Sequence, residues 1–145
     1  MYGYQFHNMQ LAAEKNGWTK FVSMQNHYNL LYREDEREMI PVCRQYNVSL
    51  TPYSPLASGR LSRPEWHTDT KRSQTVTEIA KKYDATMSQI SIAWLLAKGV
   101  TSPIIGATKA KYFDDAAGAL DISLSQKDIA YLEELYIPHK IVGAL

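Results

Sequence analysis

Hydrophobic and polar residues follow two different spacings along this chain, and each spacing predicts a different kind of element. Residues 4–16 place apolar side chains roughly on one face of a helix. Residues 21–25 and 48–53 are short apolar runs bounded by turn-forming residues, which is typical of buried strands. Residues 33–45 lie between these runs and predict a second helix, although Pro41 disfavours an unbroken one.

The second half of the chain repeats this alternation. Residues 100–105 form an apolar run that predicts a third strand. Between the second and third strands, residues 54–74 are rich in Pro, Ser, Arg and Thr and show no period, which is typical of a functional or mobile loop. The helical pattern returns on both sides of the third strand, over residues 75–82, 87–98, 109–120 and 125–135.

The ends of the predicted helices carry their own sequence features. Gly17 and Gly99 each follow a helical pattern directly, as glycines that end helices do. Thr86 or Ser88 is placed to cap the helix that follows. Ser125 precedes the last helix and has an acidic residue three positions later, which predicts a capped start.

Three short strands, each separated from the next by helices, predict an α/β fold with parallel strands and crossover helices that cover the sheet. A closed barrel built this way needs eight strands and about 250 residues. This chain has 145 residues. Its three strands would leave two unpaired edges, so we expect another copy or another segment to complete the sheet.

The composition narrows the class of protein. Hydrophobic residues make up 45% of the chain and charged residues 21%, which predicts a folded, soluble domain. Sixteen basic and fifteen acidic side chains give a net charge of +1, so no overall field would attract nucleic acid or an anionic membrane. With no signal-like start and no long apolar run, the expected location is the cytoplasm.

Cysteine and histidine residues give little indication of a metal or a disulfide. Cys43 is the one cysteine, so an internal disulfide is excluded and a buried thiol is expected. The histidines show no ligand spacing with one another or with this cysteine, so a metal site is not expected. They are His7, His27, His67 and His139.

The loop that follows the second strand is the first candidate for chemistry. The sequence TPYSPLASGRL at residues 51–61 ends a strand in two prolines, two serines and a glycine. In repeating strand-helix proteins, the loops after the strands bind ligands. Gly59 allows the backbone to approach an anion, and Arg60 offers a planar guanidinium suited to phosphate. The alternative is a rigid turn with a solvated arginine.

A second candidate for anion binding lies near the predicted start of a helix. Residues 106–109 precede that helix, where backbone N–H groups attract anions and Lys109 adds positive charge. Thr108 could bind a phosphate or simply cap the helix.

Three segments together resemble the C-terminal half of an aldo-keto reductase. They are SMQNHYNLL at residues 23–31, the TPYSPLASGRL segment, and SPIIGATK at residues 102–109. The order and distances of the motifs resemble the bacterial branch that is similar to potassium-channel β subunits, over nearly the whole chain. The resemblance implies that residues 1–145 are the C-terminal part of a TIM (β/α)8 barrel. The three segments would then be its sixth, seventh and eighth strands.

This resemblance also implies NADP(H) as the cofactor, bound at the carboxyl ends of the strands. Gln25 would bond to the nicotinamide carboxamide, and Tyr53 would stack on the nicotinamide ring. The pyrophosphate would be lined by Ser54, Leu56, Ser58, Gly59 and Arg60.

By the same resemblance, the adenosine end of the cofactor would lie on residues from the start of the next helix. The 2′-phosphate would be received by Gly106, Thr108 and Lys109. Tyr112, Asp115 and Ala116 stand where this branch usually has glutamine, glutamate and asparagine facing the adenine and ribose. This departure leaves the preference for NADP over NAD open.

The implied reaction is the reduction of aldehydes or ketones by hydride transfer, with a proton from a tyrosine assisted by a lysine, an aspartate and a histidine. All four lie on the first four strands in this family, so no catalytic residue is assigned here and the chain alone is expected to be inactive. His27 and Tyr28 end a strand and are expected to shape the pocket rather than donate the proton. Residues 33–38 are expected to be a solvated helix start, with a docking patch as the alternative.

Two further segments are expected to border the site. Trp66 and His67 could cover the cofactor as a lid, with Asp69, Lys71 and Arg72 beside its phosphates. Because family members carry a longer segment here, residues are expected to be absent around positions 74–75. Residues 138–145 are expected to contribute to the substrate pocket.

Three hypotheses follow. The first is that the chain is part of an NADP-dependent reductase and supplies most of the cofactor site. The second is a non-catalytic half-barrel that binds dinucleotide or a protein partner, most simply another copy or a separate N-terminal half. The third is a structural remnant that would not bind NADPH.

Overall fold

The computed structural model describes residues 1–63, 71–134 and 136–141. Within these ranges the fold is α/β, with helices around a short parallel sheet. The helices are α1 (Gly3–Lys15), α2 (Met39–Gln45), α3 (Lys71–Lys82), α4 (Met87–Ala97), α5 (Ala110–Ala117) and α6 (Gln126–Glu133). The strands are β1 (Ser23–Met24) and β2 (Ser49–Leu50), and 3-10 helices span Glu34–Glu36, Ala57–Gly59 and Gly118–Asp121.

The two strands pair in parallel with Ser23 opposite Ser49. Their pairing continues beyond the assigned strands, because the N–H of Tyr53 donates to the carbonyl of Asn26 at 2.9 Å. A parallel bridge also joins His27 to Tyr53. The carboxyl ends of the first two predicted strands therefore lie side by side, as the α/β prediction requires.

The prediction of a third strand over residues 100–105 is wrong, because the described residues form a two-stranded sheet. The segment nevertheless runs beside β2. The N–H of Thr101 donates to the carbonyl of Leu50 at 3.0 Å, and the N–H of Ile104 donates to that of Pro52 at 2.9 Å. Pro52 has no N–H to donate in return, so a regular ladder does not form.

The predicted helix over residues 33–45 is wrong in its first half. A 3-10 helix spans Glu34–Glu36, and α2 begins only at Met39. Pro41 is the third residue of α2, a position where the backbone N–H has no partner within the helix. The helix therefore starts just before the proline and does not run through it.

The expectation of a solvated helix start at residues 33–38 is wrong for residues 33–36, which are buried or half-buried, whereas Arg37 and Glu38 are exposed. The side chain of Arg33 is only 10% exposed and forms ion pairs with Glu36 at 2.7 Å and Glu133 at 2.8 Å. The guanidinium carbon also lies 5.6 Å from the centre of the Trp94 ring. This arginine links the loop after β1 to α4 and α6.

Glu34 fixes the C-terminal segment against the same loop. Its side chain is 2% exposed. One carboxylate oxygen accepts the hydroxyl proton of Tyr136 at 2.5 Å and the N–H of His139 at 2.7 Å. These hydrogen bonds hold the pKa of Glu34 below its usual value. Residues 136–141 are therefore attached to the body of the protein by a buried charge.

The core lies between the sheet and the helices. Trp94 on α4 is fully buried, and its ring centre lies 5.3 Å from that of Tyr28. Its indole N–H donates to Glu133 at 2.9 Å, so the polar atom of this large side chain is satisfied. Cys43 is also fully buried, as predicted, and burial raises the pKa of its thiol to about 11.

Two of the predicted helix caps are confirmed, whereas α5 begins after Lys109 without a side-chain cap, so the alternative that Thr108 caps this helix is wrong. The hydroxyl of Thr86 accepts the N–H of Gln89 at 3.1 Å, which decides between Thr86 and Ser88 as the cap of α4. The hydroxyl of Ser125 accepts the N–H of Asp128 at 3.2 Å at the start of α6. Among the described residues, none of the helices combines the length and apolarity needed to cross a membrane.

Candidate functional site

A cleft of about 850 Å³ opens between the loop after β2 and the start of α5. Two segments that are distant in sequence, residues 54–63 and 104–116, line it together, and Thr86, Ser88 and Ile92 at the start of α4 complete the lining. Many of the predicted cofactor residues line this cleft. These are Ser54, Leu56, Ser58, Gly59, Gly106, Thr108, Tyr112 and Asp115.

The remaining predicted cofactor residues lie outside the lining of the cleft. They are Gln25, Tyr53, Arg60 and Lys109, and all of them are exposed. The cationic side chains in the lining are Arg63 and Lys111 instead. Each lies two or three positions after the residue chosen from the sequence, so the sequence indicated the segment and not the cationic residue that lines the cleft.

The backbone of the loop after β2 is unusual, because several of its residues have positive φ angles. Ser54, Ala57, Ser58 and Gly59 have φ angles of 56°, 49°, 57° and 91°. Left-handed conformations cost free energy in residues other than glycine, and they cluster at functional sites.

The opposite wall of the cleft carries a negative charge that is already partnered. The hydroxyl of Thr86 lies 3.0 and 3.2 Å from the two carboxylate oxygens of Asp115 and donates to them. Lys111 brings positive charge to the same wall, with its Nζ 5.2 Å from the centre of the Tyr112 ring. The wall therefore offers a cation, an aromatic face and an oriented carboxylate.

Gly106 leaves open space in the same wall. A Cβ built at this position would meet no atom of the described residues within 4 Å. Packing within this part of the chain therefore does not require glycine here. A glycine that leaves such space lets a bound molecule approach the backbone closely.

A stack of three rings stands at the carboxyl ends of β1 and β2. The His27 imidazole lies between Tyr32, with ring centres 4.4 Å apart, and Tyr53, with ring centres 4.9 Å apart. The interplanar angles are 14° and 12°, so the three rings are nearly parallel. Tyr32 is buried, whereas Tyr53 is 41% exposed.

Tyr28, which follows His27, belongs to the core. It is 1% exposed, and its hydroxyl donates to Glu36 at 2.5 Å. Burial and this carboxylate raise the pKa of the phenol far above its usual value. The expectation that it helps to shape a pocket is therefore replaced by a structural role. The predicted lid residues Trp66, His67 and Asp69 lie outside the described residues, as do the side chains of Lys71 and Arg72.

Comparison with known proteins identifies the family. A sequence model of the aldo/keto reductase family matches residues 3–137. An aldo-keto reductase of Fusarium vanettenii is 45% identical, over 99% of this chain and 44% of its own length. The versiconal hemiacetal acetate reductase of Aspergillus parasiticus is 38% identical, over 97% of this chain and 48% of its own length.

A solved structure agrees with these relatives. The crystal structure of a thermostable aldo-keto reductase in complex with the inhibitor epalrestat superposes with a TM-score of 0.73 and 32% identity. It covers 86% of this chain and 43% of its own. The chain thus spans about half the length of the relatives it matches, and its likeness to the branch of potassium-channel β subunits stays a prediction. The match over residues 3–137 shows that this chain belongs to the aldo/keto reductase family.

Proposed function

We propose that this chain supplies the cofactor site of an NADP(H)-dependent reductase of aldehydes or ketones. The observation that supports this most is the cleft, in which the loop after β2 faces the start of α5. These are the two segments whose sequences indicated anion binding independently of each other. Phosphate sites in barrels of this kind form after the last two strands.

The residues of the cleft suit an extended dinucleotide. Its pyrophosphate needs hydroxyl and N–H donors together with positive charge, and the loop offers Ser54, Ser58 and Arg63. On the facing wall, Thr108 and Lys111 are available for the phosphate of the adenosine ribose. We assign the NADP(H) contacts to these side chains, and the open space at Gly106 to close approach of the backbone.

The nicotinamide would lie beyond the cleft, at the carboxyl ends of the strands. Gln25 and Tyr53 are exposed there, on neighbouring strands joined by the bond from Tyr53 to the Asn26 carbonyl. When bound, the cofactor would supply the hydride for a carbonyl substrate. We assign Gln25 and Tyr53 to orienting its nicotinamide, and we assign no catalytic residue within this chain.

The reaction itself needs groups that these residues do not provide. We propose that residues 1–145 form the C-terminal half of a barrel and that the whole protein acts in the cytoplasm. The alignments with the relatives extend over 155 to 165 positions, more than the 145 residues of this chain. The relatives therefore carry positions without a counterpart here, and we propose that some of them fall near residues 74–75, where family members carry a longer segment. The polypeptide runs continuously through these two residues within α3.

A second candidate function is a non-catalytic half-barrel with a protein partner. The observation that favours it lies beside β1, where Trp18 is 66% exposed, Phe21 46% and Val22 75%. Apolar side chains next to an unpaired strand edge are typical of a surface that another segment or another copy covers.

One set of measurements separates these candidates. Mass spectrometry of the purified gene product would give a mass near twice 16.5 kDa for a whole reductase, and 16.5 kDa for a half-barrel. Fluorescence titration with NADPH tests the cofactor site in either case. Loss of NADPH absorbance with an aromatic aldehyde tests reduction. Failure to bind NADPH would contradict the proposed cofactor site, whichever mass is found.

A further inference from the structure

The stack formed by Tyr32, His27 and Tyr53 has no role in the function proposed so far. We propose that His27 is a positioning residue that holds the ring of Tyr53 in the orientation needed to stack on nicotinamide. This inference rests on the proposed cofactor site. It adds a residue that does not itself touch the cofactor.

The ring of Tyr53 is supported on one face only. One face of its ring lies on the imidazole of His27, with ring centres 4.9 Å apart and planes 12° apart. The residue is nevertheless 41% exposed, which leaves the other face and the edges of the ring open to a bound molecule. A parallel bridge joins the backbones of the two residues, which fixes the bases of both side chains.

The ring of His27 is itself held in place by two buried neighbours. Its other face lies on the ring of Tyr32, with centres 4.4 Å apart, and Tyr32 is 7% exposed. The Nε2 atom of His27 lies 3.3 Å from the amide nitrogen of Asn29. The imidazole is therefore fixed on one side by a buried ring and at its edge by a buried amide.

The orientation of the Asn29 amide determines the protonation of His27. Its Oδ1 accepts the N–H groups of Leu31 and Tyr32, both at 3.0 Å, so Nδ2 must face His27. Because an amide nitrogen only donates, Nε2 of His27 accepts, and the proton of the neutral ring resides on Nδ1.

A role for His27 in proton donation does not fit this arrangement. Its Nδ1 is buried and has no hydrogen-bond partner among the described residues. Burial also lowers the pKa of the ring, which favours the neutral form, although Asp35 acts in the opposite direction. A neutral ring that is stacked on both faces and whose Nδ1 is buried is suited to packing and not to acid catalysis.

The test compares binding of two compounds to the intact gene product. NADPH carries the nicotinamide, and 2′-phosphoadenosine diphosphoribose lacks it. His27→Leu keeps the volume and removes the ring, so the Kd for NADPH should rise about three- to tenfold, the range expected for a lost ring contact. The Kd for the second compound should stay unchanged. His27→Phe restores the ring without its nitrogens and should restore the Kd for NADPH.

The controls separate this role from a general loss of structure. His7 on α1 also contacts a tyrosine ring, that of Tyr46, in a tilted pair with ring centres 5.5 Å apart. Neither residue lines the cleft, so His7→Leu should change neither affinity. Equal weakening of both compounds by His27→Leu, or no weakening, would overturn the positioning role. If His27→Leu does not fold, NADPH affinity of His27→Phe well below wild type would overturn it. Wild-type protein that binds neither compound would overturn the cofactor site as well.

Discussion

The side-chain amide of Asn29 donates a hydrogen bond of 2.9 Å to the backbone carbonyl of Ser54, which lies 25 positions away in sequence. This bond joins the turn after β1 to the loop after β2. Asn29 is 1% exposed, so its side-chain amide depends on partners within the protein rather than on water. Ser54, the first residue of the cleft lining, is thus held in place by a side chain from the turn after β1.

Replacing Asn29 should therefore destabilise the protein. Asn29→Ala removes the bond to the Ser54 carbonyl and the side-chain acceptor of the Leu31 and Tyr32 N–H groups, of which the second still donates to the Asn29 backbone carbonyl. We expect the free energy of unfolding to fall by about 2 kcal/mol, because unsatisfied buried polar groups are costly. Urea denaturation measures this value. Asn8 on α1 is exposed, so Asn8→Ala should change it by less than about 0.5 kcal/mol. An equal effect of both variants would contradict this role.

The sequence predicted the order of elements well because hydrophobic spacing and capping residues act locally. Gly17 and Gly99 follow α1 and α4 with φ angles of 67° and 84°, as stop signals should. The errors occurred where a distant contact decides the outcome. The charged run that begins at Arg33 reads as solvated because the partners of its first residues lie about a hundred positions further along the chain. Arg33 donates to Glu133, and Glu34 accepts a hydrogen bond from Tyr136.

In the candidate site, too, the features set by local sequence could be predicted and those set by the path of the backbone could not. The segments that form the cleft could be found from prolines, serines and glycines alone, since these residues shape turns wherever they occur. Which cationic residue lines the cleft depends on the path of the backbone. In the loop after β2, that path includes the left-handed residues Ala57 and Ser58. Nothing in a residue such as Ala57 indicates a positive φ angle. Arg63 and Lys111 were therefore missed, although both lie within three positions of the predicted residues.

The end of α3 provides a prediction about backbone strain. Asp84 has a φ angle of 49°, and the N–H of Ala85 donates to the carbonyl of Ala80 at 2.9 Å, as in a glycine-terminated helix. Glycine adopts this conformation without steric cost, so Asp84→Gly should raise the free energy of unfolding by about 1 kcal/mol. Thermal denaturation followed by circular dichroism measures the change.

Gly99 gives the reverse experiment at the end of α4. Its φ angle is 84°, and an added Cβ would meet nothing within 4 Å among the described residues. Gly99→Ala should therefore lower the free energy of unfolding by about 1 kcal/mol through backbone strain alone. Changes of the same sign at Asp84 and Gly99 would contradict this explanation.

Asp128 provides a prediction about pH. Hydrogen bonds from Lys82, Ser125 and Tyr83 lower the pKa of this carboxyl well below its usual value. A lowered pKa stabilises the folded protein above the pKa of the unfolded chain, about 3.9, and this stabilisation is lost as the pH falls below that value. Asp128→Asn should therefore cost about 2 kcal/mol at neutral pH and progressively less below about pH 4.

Urea denaturation between neutral and acid pH measures this dependence. The Lys82 side chain is 56% exposed, so most of the effect should come from the hydroxyl donors and little from the ion pair. Asp121 is exposed at the end of a 3-10 helix, and Asp121→Asn should show no such dependence. A constant difference between wild type and Asp128→Asn at every pH would contradict the lowered pKa.

The proposed cofactor site should depend on Lys111 more than on Lys109. The sequence favours Lys109, whereas Lys111 lines the cleft and Lys109 lies outside its lining. Lys111→Ala should raise the Kd for NADPH about tenfold, the value expected for the loss of one charge-assisted hydrogen bond. The effect should shrink at high salt, because salt screens the interaction with phosphate. Lys109→Ala should have a smaller effect, and Lys127→Ala on α6 should have none. The opposite ranking of Lys109 and Lys111 would return the phosphate contact to the residue that the motif indicated.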